Sequence, residues 1–148
     1  MSASAAPADA VLLRHAATPL PRYTSYPTAP HFAPLAEETA AAWLAGCGPQ
    51  DALSLYIHVP FCHTLCWYCG CHTTVTRSSA RITRYGAGLE QEAAMVAALL
   101  PAHGGVASLH LGGGTPTALG AEGLGRVTAT LRRLFPFRDG AEIAGELD

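Results

Sequence analysis

The sequence predicts an α/β protein built around a parallel sheet, and two observations carry this prediction. Segments with strand character alternate along the chain with segments of helical periodicity, in the order β-α-β-α-β. The connections between these segments are short. Short strand–helix–strand connections place successive strands parallel to one another, with right-handed crossovers.

The first part of the chain contains an arm, a helix and a strand. Residues 19–34 contain five prolines, so we expect an extended arm there. The sequence EETAAAWLAGC, from Glu37, predicts a short helix with acidic residues in its first turn and Gly46 near its end. LSLYIHV, residues 53–59, alternates apolar and polar side chains before Pro60, which predicts the first strand.

Two helices and two strands follow. SARITRYGAGLEQEAAMVAALL has apolar residues at helical spacing, with Ser79 placed to cap the helix. VASLHLGGGTP predicts a second strand that runs into a glycine turn, and AEGLGRVTATLRRLF predicts a second helix. AEIAGEL predicts the third strand, in which Gly145 either weakens the strand or lets a ligand approach closely.

Three unusual features stand at the ends of the three predicted strands. A cysteine-rich loop follows the first strand, the glycine turn follows the second, and Glu146 ends the third. Because the carboxyl ends of parallel strands meet at one edge of a sheet, these features are expected to lie together. Active sites of such sheets lie beyond that edge, so we expect the functional site there.

Length, composition and charge exclude several classes of protein. The chain has 148 residues, 49% of them hydrophobic, which suffices for one domain with a core. Its net charge of −2, with no basic run, argues against binding to nucleic acid or to an anionic membrane. The N-terminus lacks the pattern of a signal peptide, and no segment is apolar over the length of a membrane span. We therefore expect a cytoplasmic protein.

Four of the five cysteines lie in the sequence PFCHTLCWYCGCHT. In a reducing compartment, such clustering is typical of metal ligands or redox thiols rather than of disulfides. Cys62, Cys66 and Cys69 follow the pattern C-x3-C-x2-C, which can seat three corners of a cubane iron–sulfur cluster and leave the fourth iron open.

Two other uses of these cysteines remain open. A redox thiol pair is one, and a structural zinc site is the other. The zinc site would combine Cys66 and Cys69 with two of the following residues: Cys62, Cys71, His63 and His72. The lack of a second C-x2-C pair and the position at a strand end favour a cofactor over structural zinc.

The glycine turn has the sequence GGGTPT, residues 112–117. It matches neither G-x-G-x-x-G nor the P-loop pattern, which argues against binding of nucleotide phosphates. Three consecutive glycines let the backbone approach a ligand closely and expose its amide and carbonyl groups to that ligand. A tight strand-to-helix turn would also require glycine, so the turn alone does not separate the two explanations.

With both motifs in place, the sequence resembles the radical S-adenosylmethionine (SAM) enzymes, which carry these two signatures after their first and second strands. Within that superfamily it resembles oxygen-independent coproporphyrinogen III oxidase (coproporphyrinogen dehydrogenase), through PRYTSYPTAPHF, LYIHVPFCHTLCWYCGCHT, LHLGGGTPT and GELD. The resemblance covers about residues 20–148. The related heme-chaperone branch typically lacks the PRYTSYPTA arm and the CGC sequence that contains Cys71.

The resemblance implies a fold and an activity. The fold is the first β-α-β-α-β part of a partial TIM-like barrel over residues 51–148, after an N-terminal arm and short helix over residues 1–50. The activity is the anaerobic oxidative decarboxylation of coproporphyrinogen III to protoporphyrinogen IX in heme biosynthesis, with a [4Fe–4S] cluster and SAM as cofactors. In this family, reductive cleavage of SAM gives a 5′-deoxyadenosyl radical that removes a hydrogen from each reacting propionate. The alternative is a heme chaperone that binds a cluster and heme without turnover.

The resemblance also assigns roles to individual residues. It implies that Cys62, Cys66 and Cys69 bind the cluster, and that Cys71 is not a ligand but is tied to activity. The positions that match SAM-contacting residues of the family are Tyr56, Tyr68, Gly112, Gly113, Gly114 and Glu146.

Two further side chains are candidates for function. His58 shares a face of the first strand with Tyr56 and is a candidate catalytic residue, although an inward-facing histidine is also commonly structural. Arg22 is the one cation of the proline-rich arm and could pair with a substrate carboxylate.

The expected partners are coproporphyrinogen III and an electron donor and acceptor that the sequence does not identify, with no nucleic acid or membrane. The full-length protein is expected to be a monomer. The chain stops at Asp148, on the predicted third strand, so we expect a fragment without the rest of the barrel or the C-terminal domain of the family. Such a fragment should hold a labile cluster but should be inactive alone, because an open site does not exclude water.

Overall fold

The computed structural model describes residues 11–14, 29–67 and 69–146. By its internal contacts the chain divides into two compact units, Met1–Leu35 and Ala36–Asp148. In the first unit, residues 11–14 are helical and Ala29–His31 form a 3-10 turn. The predicted extended arm lies largely outside the described residues, and the predicted domain boundary at residue 50 stays a prediction.

The second unit contains all the elements predicted from periodicity, together with three short ones. In chain order they are α1 (Glu37–Ala45), β1 (Leu53–Val59), β2 (Phe61–Cys62), β3 (Thr74–Val75), α2 (Ser79–Leu99), β4 (Val106–Gly113), a 3-10 turn (Pro116–Leu119), α3 (Gly120–Leu134) and β5 (Phe137–Gly145). Strands β1, β4 and β5 form a sheet in the order β1-β4-β5, and both pairings are parallel. The predicted α/β class and parallel sheet are therefore confirmed.

The apolar face of the sheet packs against α2 and α3. In β1, Val59 is fully buried, and the other apolar residues of the predicted alternation, Leu53, Leu55 and Ile57, are partly buried against the core. Sheet and helices contribute to one buried cluster that includes Val106, Leu109, Leu111, Ile82, Val127 and Leu131. Because the helices cover this face, the polar residues of the alternating pattern lie on the opposite face of the sheet.

Helix α2 begins directly after its cap, and the cap is Ser78. The backbone of Ser78 is extended, with φ −79° and ψ 103°, and its Oγ accepts the N–H of Arg81 at 3.4 Å. The prediction that Ser79 caps this helix was wrong by one position. Both serines satisfy the sequence preference, and only the backbone conformation distinguishes them.

Strand β5 begins at Phe137, earlier than the predicted start at Ala141. Its register with β4 shifts in this early part, where Gly140 adopts a φ of +74°. Such an irregularity removes the strict alternation from which a strand is recognised. At Gly145 an added Cβ would lie 3.6 Å from its nearest neighbour, the Leu111 carbonyl oxygen, so protein packing does not require glycine there, and the approach of a ligand to this position stays a prediction.

Strand β1 is an edge of the sheet, and α2 satisfies one of its carbonyls. The Val59 carbonyl accepts the N–H of Gly114 at 2.8 Å, on the side of β4. Because successive carbonyls of a strand point to opposite sides, the His58 carbonyl points to the edge. It accepts the Tyr85 hydroxyl at 2.8 Å. The Tyr85 hydroxyl thus supplies the hydrogen bond that the N–H of a neighbouring strand would otherwise donate.

We predict that Tyr85→Phe lowers the free energy of unfolding by about 1 kcal/mol, because it leaves the His58 carbonyl without this donor while keeping the aromatic ring. Tyr56→Phe is the matched control, since the Tyr56 hydroxyl makes only a long contact of 3.4 Å with His58. Urea unfolding of the two variants measures the difference. Equal stabilities would show that the Tyr85 hydroxyl does not support the edge.

Candidate active site at the carboxyl edge of the sheet

The cysteine loop, the glycine turn and Glu146 lie at one edge of the sheet. Val59 at the end of β1 is in register with Gly113 at the end of β4. The N–H of Glu146, directly after β5, donates to the Leu111 carbonyl of β4 at 2.9 Å. The expectation that parallel strands bring these three features together is therefore confirmed.

The cysteine loop, residues 62–73, is closed at its base by the short parallel strands β2 and β3. The Thr74 N–H donates to the Pro60 carbonyl at 2.6 Å, and the Thr76 N–H donates to the Cys62 carbonyl at 3.1 Å. Both ends of the loop are thus fixed to each other next to the end of β1. The sequence reasoning missed this pair because two-residue strands have no recognisable period.

All four thiols of the loop are free, and they differ in exposure. Cys62 lies buried at the base, Cys69 is half-buried, and Cys66 and Cys71 are exposed. A backbone turn joins two of the predicted ligands, because the Cys69 N–H donates to the Cys66 carbonyl at 3.1 Å. The loop therefore presents three unpaired thiols of the C-x3-C-x2-C pattern.

The surroundings distinguish the thiols of Cys69 and Cys71. The Thr73 hydroxyl, whose Oγ1 lies 3.5 Å from the Cys69 Sγ, lowers the pKa of the Cys69 thiol. Desolvation raises the pKa of the Cys71 thiol, and the charges of Cys69 and Glu146 raise it further. A metal ligand must be a thiolate. The environment thus favours the ligand form at Cys69 and the protonated form at Cys71.

The chemistry of these donors fits an iron–sulfur cluster. Thiolates are the ligands that such clusters require, and the loop carries three of them at the appropriate spacing. Among residues 11–14, 29–67 and 69–146, no three His, Cys, Asp or Glu side chains converge closely enough to hold one metal ion. A cubane cluster takes one thiolate at each of three irons, which is the number of thiols that the C-x3-C-x2-C pattern supplies.

The first two glycines of the turn leave space that neighbouring side chains fill. A Cβ at Gly112 would lie 3.0 Å from the Glu146 carboxylate and 3.0 Å from the Tyr56 hydroxyl oxygen. A Cβ at Gly113 would lie 2.5 Å from the His58 ring, and its φ of +108° disfavours any other residue. The turn is therefore both tight and in close contact with the polar face of the sheet.

Gly114 brings β4 against the base of the cysteine loop. A Cβ there would lie 2.6 Å from the Phe61 carbonyl oxygen and 3.0 Å from the Cys62 Sγ. The next residue, Thr115, is buried and places its Oγ1 3.8 Å from the same sulfur. The end of β4 thus contacts the first of the three predicted cluster ligands directly.

Tyr56, His58 and Glu146 meet on the polar face, beside a histidine of β4. The Tyr56 hydroxyl lies 3.4 Å from the His58 Nδ1, and its ring stacks on His110 with centroids 5.7 Å apart. Glu146 accepts the Gly113 N–H through Oε2 at 2.9 Å, and its Oε1 lies 3.6 Å from the His110 Nε2. The structure therefore brings together a phenol, a carboxylate and two imidazoles next to the glycine turn.

Electrostatics and hydrogen bonding link this polar face to the cysteine loop. Desolvation, and then the charges of Glu146 and Cys71, raise the pKa of the Tyr56 phenol, so that the neutral form is favoured. The His58 Nε2 lies 3.3 Å from the His72 carbonyl oxygen, within the loop. With its hydrogen on Nε2, His58 donates to the loop backbone and its Nδ1 accepts from the Tyr56 hydroxyl, so one tautomer serves both contacts.

His110 was missed by the sequence reasoning. It occupies the same alternating position in VASLHLGG that Tyr56 occupies in LSLYIHV, and the two are in register in the sheet. That alternation is the signal that would have identified it. Tyr68 and Arg22, the remaining predicted site residues, lie outside the described residues, and their roles stay predictions.

Comparison with known proteins shows what the chain is similar to. No family model matches it. Over 130 residues it is 46% identical to the oxygen-independent coproporphyrinogen III oxidase of Bradyrhizobium diazoefficiens, covering 87% of this chain and 29% of that protein. Over 128 residues it is 44% identical to the protein of the same name from Escherichia coli, covering 86% of this chain and 28% of that protein. Over these residues the chain is similar in sequence to proteins named oxygen-independent coproporphyrinogen III oxidase.

A solved structure agrees with this similarity. The fold matches coproporphyrinogen III oxidase (HemN) from Escherichia coli, a radical SAM enzyme, with a TM-score of 0.77 and 40% identity. The match covers 95% of this chain and 30% of that one, so the chain spans less than a third of the length of these oxidases. In the described part of the chain, no helix has the length and apolar character to cross a membrane.

We predict that Gly114→Ala lowers the free energy of unfolding by about 2 kcal/mol, because its Cβ would force β4 and the loop apart. Gly125→Ala is the matched control. That glycine lies in α3 with nothing within 4 Å of an added Cβ, so alanine there should stabilise the chain by about 0.5–1 kcal/mol. Urea unfolding measures the stability of both variants. A gain in stability for Gly114→Ala as well as for Gly125→Ala would contradict the expected clash at Gly114.

Proposed function

We propose that this chain carries the cluster-binding and SAM-binding part of an oxidoreductase that converts coproporphyrinogen III to protoporphyrinogen IX by anaerobic oxidative decarboxylation. One observation carries the proposal: the C-x3-C-x2-C loop, the glycine turn and Glu146 converge at one edge of a parallel sheet. The similarity to coproporphyrinogen III oxidases supports it. In this proposal the sheet and its helices are the first part of a partial TIM-like barrel.

Cys62, Cys66 and Cys69 would hold a [4Fe–4S] cluster. When bound, the cluster and SAM supply the electron and the 5′-deoxyadenosyl radical that the reaction needs. The lowered pKa of Cys69 supports its role as a thiolate ligand, and the raised pKa of Cys71 supports a role for that thiol outside the ligand set.

The residues around the glycine turn would orient SAM. The Glu146 carboxylate is an acceptor for ribose hydroxyls or for an amino group, and the Gly113 N–H fixes one of its oxygens at 2.9 Å. The missing side chain of Gly112 lets Glu146 and Tyr56 lie close to the backbone at the same edge, and the neutral Tyr56 phenol forms the neighbouring wall. His58 lies between Tyr56 and the loop, and we propose it as a catalytic residue next to these groups.

The alternative function is a heme chaperone that binds a cluster and heme without turnover. The similarity does not favour it, because the relatives at 39–46% identity carry the oxidase name. A cytoplasmic location, a monomeric state, the lack of nucleic-acid or membrane partners, and the use of a separate electron donor and acceptor stay predictions. So does the pairing of Arg22 with a substrate carboxylate.

We predict that anaerobic reconstitution loads the chain with iron and acid-labile sulfide, and that alanine at Cys62, Cys66 or Cys69 reduces both to background. Removing any one thiolate leaves a corner of the cluster without a protein ligand. Cys47→Ala is the matched control, because Cys47 is a free cysteine at the end of α1 and outside the loop. Iron, sulfide and zinc analysis is the measurement, and stoichiometric zinc without sulfide would overturn the cluster assignment.

We predict that a protein of the relatives' length containing this chain forms protoporphyrinogen IX from coproporphyrinogen III when given SAM and a reductant without oxygen. The 148-residue chain alone should form none, because its polar face is open to water. Chromatography of the oxidised porphyrins measures the product. Tight heme binding without product in the longer protein would favour the chaperone instead.

A further inference from the structure

His110 lies at the centre of the polar face, between the two side chains proposed to contact SAM. It is in register with Tyr56 on β1 and with Ala144 on β5. Residues in register on neighbouring strands project from the same face of a sheet. Because Ala144 is small, Glu146 at the end of β5 can reach the imidazole without obstruction.

His110 contacts both neighbours in a specific geometry. Its ring stacks on Tyr56 with a centroid separation of 5.7 Å and an interplanar angle of 12°. Such an offset arrangement is a favourable geometry for two aromatic rings. On its other side, the His110 Nε2 lies 3.6 Å from the Glu146 Oε1, close enough for an electrostatic contact but too long for a hydrogen bond.

The two oxygens of Glu146 therefore lie next to different parts of β4. The backbone N–H of Gly113 binds Oε2, and the His110 side chain lies next to Oε1. Without the imidazole, the carboxylate would keep its hydrogen bond at Oε2 but would lose its neighbour at Oε1. Tyr56 would at the same time lose the ring against which it stacks.

We infer that His110 is a positioning residue for SAM, which sets the orientation of Tyr56 and Glu146 from the middle strand of the sheet. This inference rests on the proposed function, because it takes these two side chains as SAM contacts. Two partly exposed contacts of this kind together correspond to about a tenfold change in affinity. His110→Ala should therefore weaken SAM binding about tenfold while leaving the cluster in place.

The test uses a protein of the relatives' length that contains this chain, reconstituted with its cluster without oxygen. The dissociation constants for SAM and for S-adenosylhomocysteine are measured on this protein and on its variants. His110→Ala removes both contacts, His110→Phe keeps a ring for Tyr56, and His110→Gln keeps a polar group for Glu146. We expect each conservative variant to recover part of the affinity. Ser108→Ala is the matched control, because Ser108 lies on the same strand and face but contacts Ser54, with 2.8 Å between the two hydroxyl oxygens.

Measurements of iron content and of thermal unfolding distinguish a positioning role of His110 from a general loss of structure. The expected result is weaker SAM binding and a smaller SAM-induced change in the electron paramagnetic resonance signal, at unchanged iron content and melting temperature. If the His110→Ala variant unfolds, the affinities of the His110→Phe and His110→Gln variants for SAM still test the inference. Unchanged affinity in all His110 variants would overturn this inference alone, whereas no SAM binding by the unsubstituted protein would overturn the proposed function and this inference with it.

Discussion

The parallel pairing of β4 with both of its neighbours is the constraint on which the rest of the site depends. Parallel strands need long crossover connections, and here α2 and α3 supply them and bury one face of the sheet. The opposite face is left to polar side chains, such as the Ser54 and Ser108 hydroxyls with 2.8 Å between their oxygens. The same pairing brings three strand ends to one edge, where a loop, a turn and a carboxylate meet.

The end of β4 also determines the position of the cysteine loop. Beyond the sheet, the Gly114 N–H donates to the Val59 carbonyl at 2.8 Å and the Thr115 N–H donates to the Phe61 carbonyl at 2.7 Å. Strand pairing thus continues onto the base of the loop, and only a glycine at position 114 permits this approach. Cys62 is held by the fold at that base, whereas the Cys69 thiol contacts Thr73 within the loop itself.

The sequence predicted the features that depend on a repeated pattern. Alternation identified β1 and the face on which Tyr56 and His58 lie, and helical spacing identified α2 and α3. Features that depend on a single conformation were not predictable. The two-residue strands β2 and β3 exist only because the loop closes on itself, and the 3-10 turn Pro116–Leu119 follows from the local geometry after the glycine turn.

The same distinction applies to the site: some of its features follow from a repeated pattern, and others depend on a single conformation. The strand ends could be placed at one edge from the sequence alone, because parallel order determines which ends coincide. The contacts of His110 could not, because they depend on the register between β1 and β4 and on the small side chain of Ala144 on β5. Likewise the pKa difference between the Cys69 and Cys71 thiols arises from the Thr73 hydroxyl at Cys69 and from desolvation and neighbouring charges at Cys71, which the spacing of cysteines does not encode.

The polar face is only partly covered in this chain, with 57% of Tyr56 and 52% of the Glu146 side chain exposed. Contacts between such exposed groups are individually weak, because water screens them. A ligand that covered this face would remove water from the same groups, and the lower local dielectric would strengthen each electrostatic contact among them. The contacts of Glu146 with His110 and Gly113 would then be strongest in the bound state, so orientation and binding would reinforce each other.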